Sequence, residues 1–147
     1  MVDFDENHGL PANPFNPHAW IVDEPVIGEG CWIGAFTVID GSGGLIIGRG
    51  CDISAGAQIY THSTVVRAIS QRPQPIKRQP VEIGDHVYVG ANAVILMGSV
   101  IGHHSVVGAG AVVKEGTVAP PWSLLLGVPA RVIADGARRY EAAGAEE

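Results

Sequence analysis

The sequence predicts an all-β chain wound as a parallel β-helix of hexapeptide repeats, on three observations. Aliphatic residues recur every six positions at Ile83, Val89, Ile95, Ile101, Val107 and Val113. Four positions after each leader stands a small or β-branched residue, namely Val87, Ala93, Ser99, Ser105, Ala111 and Thr117. The composition of 20 glycines, 46% hydrophobic and 6% aromatic residues describes a core of small aliphatic side chains used many times over.

A six-residue unit led by Ile or Val is too short for a helical repeat and suits one short strand plus a corner. Three such units close a triangular coil. Coils stacked at roughly 4.8 Å pair their backbones and align the leaders inside the prism. A β-sandwich would instead show a period of two, with hairpin turns every 8–12 residues or so.

An earlier block keeps the same phase, with leaders Ile27, Ile33 and Ile39, then Ile47, Ile53, Ile59 and Val65. The step from Ile39 to Ile47 is eight, and the two extra residues fall in Gly41-Ser42-Gly43-Gly44, a stretch able to bulge. Residues 66–80 then break the pattern. They hold Pro73, Pro75 and Pro80, no glycine, and Arg67, Arg72, Lys77 and Arg78, four of the nine Lys and Arg residues. Prolines would remove ladder hydrogen bonds, so 66–80 reads as an excursion loop from one face, with twelve residues inserted into the unit 65–82. Pro120-Pro121 ends the regular ladder, and residues 137–143 read as a short C-terminal helix. The expected organisation is an N-terminal extended segment over 1–20, the β-helix over 21–133 and a helical tail over 134–147.

A formal net charge of -6 argues against general nucleic-acid binding, which needs a basic surface. No stretch approaches 18 consecutive apolar residues, and no basic start precedes an apolar run, so a soluble cytoplasmic protein without membrane contact is expected. Cys31 and Cys51 lack metal-ligand or redox-motif spacing and read as reduced neighbours in the core.

The segments IYTHST at 59–64, VEIGDHVYVGANAVI, SVIGHHSVVGAGAVV and GVPARVI together resemble the hexapeptide-repeat acyltransferases, the family of the galactoside, maltose and xenobiotic acetyltransferases. The resemblance runs from about Val26 to Ile133. It implies a left-handed coil, a homotrimer with active sites between subunits, acetyl-CoA as co-substrate and one catalytic histidine just before the loop. That histidine is His62. A neutral imidazole there serves as general base toward an acceptor hydroxyl or amine.

Counting units with Val65 as a leader places Asn92 and Gly110 on the corner of His62, beside Ala91 and Ala109. The resemblance assigns Ala91 and Ala109 to the groove for the pantetheine arm, Arg131 to the nucleotide end, and Lys114 and Tyr88 to weaker cofactor contacts. Tyr88 stands where the family commonly has Trp. Gly90 and Ala91 are candidate donors of an N–H to the reacting carbonyl. What orients His62 is not legible, and an Asp or Glu from a neighbouring subunit is one source. His86, His103 and His104 read as solvated corners.

The acceptor is a small molecule or sugar, although Gly34 stands near the place of an acceptor-binding Asn and does not support the galactoside or maltose type. Two other functions fit the same fold: a γ-class carbonic anhydrase-like zinc enzyme, and a non-catalytic structural repeat protein. The first needs two zinc-binding histidines five residues apart, and no such pair is present.

Overall fold

The leaders of the repeat are the core. In the computed structural model, which describes residues 9–145, Ile33, Ile39, Ile47, Ile53, Ile59, Ile83, Val89, Ile95, Ile101, Val107 and Val113 are all buried in one cluster. Burying each Ile side chain contributes roughly 1.5–3 kcal/mol, and the same pocket is refilled coil after coil.

The strands form three parallel sheets. Sheet A stacks the strands led by Ile21, Ile39, Ile59, Ile95 and Val113; sheet B those led by Ile27, Ile47, Ile83, Ile101 and by Ala119. Sheet C stacks those led by Ile33, Ile53, Val89, Val107 and Leu125. The ladder thus runs one strand beyond Pro120-Pro121, where the sequence predicts its end, because Leu124–Leu126 still pairs parallel with Val106–Val107; it stops where Arg131–Ile133 turns back antiparallel against that strand. A helix, Arg138–Ala145, follows.

This stacking corrects the unit count. Ile59 pairs with Ile39 and Ile95, and not with Val89 and Val107 as the count from Val65 requires. Val65 is no leader: it is 63% exposed and opens a short helix, Val65–Ile69. The chain leaves the prism after buried Thr61 and re-enters at buried Val81, so Ile59 to Ile83 spans 24 positions where a regular unit takes six. The excursion therefore starts before the predicted residue 66. Its two ends, His62–Ser63 and Lys77–Arg78, pair antiparallel.

Cys31 and Cys51 are adjacent in the stack and both are free thiols, Cys51 buried and Cys31 only half-buried. Of the segment expected over 1–20, residues 1–8, including His8, lie outside the described residues. No helix among the described residues is long and apolar enough to cross a membrane.

Candidate active site

His62 sits where the chain turns out of sheet A. Its Nδ1 lies 2.5 Å from Oδ2 of Asp40, and its side chain remains about one-third exposed (35%). Asp40 follows the leader Ile39 one coil below and is 1% exposed. A carboxylate so placed is costly to bury unless its lone pairs are filled. Here they are: the Thr61 N–H donates to Oδ2 at 2.9 Å, the Ser42 N–H donates to Oδ1 at 3.0 Å, and the Thr61 hydroxyl is 3.1 Å from Oδ2. Burial pushes the Asp40 carboxyl up, but the Ser42 and Thr61 N–H groups and then His62 outweigh it and hold it well below the usual carboxylate range.

The bulge at Gly41–Gly44 is what builds this nest. It folds the chain over Asp40, so that Ser42 reaches Oδ1 and the Gly43 N–H donates to the Thr61 hydroxyl oxygen at 2.8 Å. A Cβ on Gly43 would collide with the Thr61 carbonyl oxygen, so glycine is required there. An ionised Asp40 accepts the Nδ1–H of His62, which leaves Nε2 as the proton acceptor. The orienting acid comes from the same chain, in place of the neighbouring-subunit carboxylate weighed from the sequence.

The Asp40–His62 pair opens onto a groove of about 330 Å³ on the outside of sheet A, lined by Trp20, Val22, Val38, Tyr60, Ile76 and Arg78. The Tyr60 and His62 rings meet edge to face with centroids 6.1 Å apart.

The residues matched to cofactor contacts fall in three places. Ala91 and Ala109 are exposed and stacked, with the Gly110 N–H donating to the Ala91 carbonyl at 2.8 Å and, a coil below, Asn92 to Ala55 at 3.1 Å. Ala55, Ala91 and Ala109 thus form a track of small side chains along the corner between sheets C and A. This corrects the shared column: His62 stands on the corner between sheets A and B, because the true insertion is eighteen residues and not twelve. Gly90 is buried, its N–H already donates to Val107 at 2.8 Å, and a Cβ there would strike the backbone of Ala109. It is no free oxyanion donor.

Tyr88 lies on the outer face of sheet C, 44% exposed, in a pocket shared with Val106 and Tyr140. Lys114 is exposed and takes, two coils higher, the place Tyr60 holds beside His62. Arg131 is exposed on the antiparallel strand beside Leu126. The track is an exposed column of small side chains, and Arg131 pairs with Leu126 on the strand stacked next to Val106–Val107.

His86 and His104 stack on the B–C corner with centroids 5.1 Å apart, away from His62. His104 also stacks on Trp122 at 4.5 Å, and the Arg138 guanidinium lies 4.3 Å over the same ring. His86 and His103 are exposed, as a solvated corner requires, and only His104 is partly covered. Among the described residues no three of His, Cys, Asp or Glu are grouped to hold a metal ion.

Two family models match the repeat: hexapeptide repeat of succinyl-transferase over residues 26–61, and bacterial transferase hexapeptide over residues 80–115. The repeat seen in the sequence is thus matched on both sides of the excursion. The fold is that of the hexapeptide-repeat acyltransferases. A point mutant of an N-acyltransferase from Bacillus cereus, solved with dTDP and coenzyme A, is 26% identical over 86% of this chain and 72% of its own, with a TM-score of 0.70. A hexapeptide-repeat-containing acetyltransferase from Vibrio cholerae is 34% identical over 74% of this chain and 61% of its own, at 0.66. A maltose O-acetyltransferase from Clostridium difficile 630 is 27% identical over 79% and 65%, at 0.61. No curated protein matches the hexapeptide-repeat chain by sequence.

Proposed function

We propose that this hexapeptide-repeat protein is an acetyl-CoA-dependent O- or N-acetyltransferase for a small-molecule acceptor, with His62 as general base and Asp40 as the residue that orients it. The observation that carries the reading is the Asp40–His62 pair: a buried, hydrogen-bonded carboxylate fixing one nitrogen of an imidazole that lines an open groove. Acetyl-CoA supplies the thioester carbonyl. His62 Nε2 takes the acceptor's proton as the acceptor oxygen or nitrogen bonds to the acyl carbon. The imidazolium, held by Asp40, returns that proton to the departing sulfur. Positioned general-base catalysis of this kind typically contributes about 10²–10⁴-fold.

The reading places His62 and the Ala91–Ala109 track on two corners that flank sheet A, so one chain does not join them. A homotrimer does. Sheet B carries Val26, Ile46, Val100 and Val118 outward, and sheet C carries Trp32 and Tyr88, all exposed. Packing sheet B of one copy on sheet C of the next, about a threefold axis, sets His62 of the first across from Ala91 and Ala109 of the second.

Thiol release from acetyl-CoA, followed over a panel of hydroxyl and amine acceptors, tests the activity. Mixing two inactive variants, His62→Ala and Ala91→Trp, tests the assembly. Restored activity in mixed trimers supports the split site; none under refolding conditions that restore wild-type activity counts against it.

A further inference from the structure

We propose that the acceptor carries an anionic group, carboxylate or phosphate, on an apolar body, and that Arg78 is the specificity residue that selects it. The inference rests on the acyl-transfer reading of the His62 groove and narrows its substrate class.

His62 and Arg78 are direct partners in the antiparallel ribbon that closes the excursion. Residues opposite each other in such a pair project to the same side, with Cβ atoms about 4.5–5.5 Å apart. Both line the groove beside sheet A. Lys77, paired with Ser63, projects to the other side, since side chains alternate along a strand. The excursion is therefore not a uniformly basic flap: one of its cations is directed at the reacting histidine.

Among the described residues no acidic side chain lies within ion-pair distance of Arg78. The acid of the groove, Asp40, is buried and committed to Ser42, Thr61 and His62. An arginine fork left without a carboxylate beside an open groove suits bidentate capture of a planar carboxylate or a phosphate.

The rest of the wall is mostly apolar, Trp20, Val22, Val38 and Ile76, with Ser42 held at Asp40 and the Tyr60 hydroxyl already donating to Gln58 Oε1 at 2.6 Å. A bare sugar ring buried here would leave several hydroxyls unpaired, at a cost of roughly 1–3 kcal/mol each. An aromatic or aliphatic body would not.

The test uses 3-(hydroxymethyl)benzoate, 3-(hydroxymethyl)phenyl phosphate, the neutral 3-(hydroxymethyl)benzamide, and glucose. Calorimetry gives their affinities and thiol release gives kcat/KM, for wild type, Arg78→Gln, Arg78→Lys and Lys77→Gln. The expected result is that wild type prefers at least one anionic probe to the amide by about tenfold or more, the scale of one charge-assisted hydrogen-bonded contact. The carboxylate and phosphate arms show which anion is used. Arg78→Gln removes the preference, Arg78→Lys keeps part of it, and Lys77→Gln keeps it whole, with acetyl-CoA affinity unchanged in all three. Amide or glucose bound as well as the anions, or Arg78→Gln weakening every probe equally, overturns the proposal. Failure of acetyl-CoA to bind would instead remove the acyl-transfer reading, while the calorimetric preference still decides the role of Arg78.

Discussion

Asp40 and His62 stand 22 positions apart in the chain and 2.5 Å apart in space, Oδ2 to Nδ1. The contact needs the coil below His62, the two-residue bulge after Asp40 and the departure of the chain after Thr61. Replacing Asp40 by Asn keeps the shape and leaves an amide oxygen toward the Thr61 N–H and the Nδ1–H of His62, but removes the charge that holds the imidazolium formed during transfer. The expected outcome is a fall in kcat of about a hundredfold with the KM for acetyl-CoA nearly unchanged, read from initial rates of thiol release. Since Asp40 stays ionised well below the usual carboxylate range, the wild-type rate should show no loss assignable to this carboxyl above about pH 4.

The B–C corner gives a pH dependence of stability. Burial first, then the neighbouring His103 and His86, lower the His104 pKa from 6.5, with Asp85 and Glu141 opposing. With its folded value lowered, His104 binds fewer protons folded than unfolded as pH falls through about 6.5, so stability drops with it. Thermal melts from pH 7.5 to 5.5 should show a falling Tm, and His104→Gln should flatten the slope. An unchanged slope would remove His104 as its source.

Cys51 should be chemically silent. Burial pushes its thiol up to about 11, and its Sγ is 3.1 Å from the Gly84 carbonyl oxygen. Thiolate is the reactive form, so alkylation at pH 8 should spare Cys51 in the native protein and reach both cysteines in guanidinium chloride, as read by peptide mass. A native mass two hydrogens short of the reduced chain would show a disulfide instead.

The coils were legible because leaders repeat wherever the prism needs a buried aliphatic, and Ile83 to Val113 keep that spacing without a break. The excursion misled the count for a local reason. Val65 has the right type and the right spacing, yet it heads an exposed helix, and periodicity cannot tell a buried valine from an exposed one over a single unit. That one residue shifted the faces and set His62 in the wrong column. His62 itself was marked by its place before the loop. Asp40 was missed because a bulge reads as permissive spacing: Gly41-Ser42-Gly43-Gly44 shows freedom to bend, and only the stacked coil shows that it bends around a carboxylate. The signal available was an acid immediately before the one irregular step of the early block. The packing of Trp122 on His104 and Arg138 joins segments whose approach depends on where the ladder ends, which no repeat encodes.

The central claim is that His62 is the base. His62→Ala should lower kcat for acetyl transfer by at least about a hundredfold while the calorimetric Kd for acetyl-CoA changes little, because the imidazole acts on the acceptor's proton and not on cofactor binding. His86→Ala, on the B–C corner and outside the His62 groove, should retain most of the activity. A His62→Ala protein that keeps its rate, or one in which His86→Ala loses as much, would contradict the account.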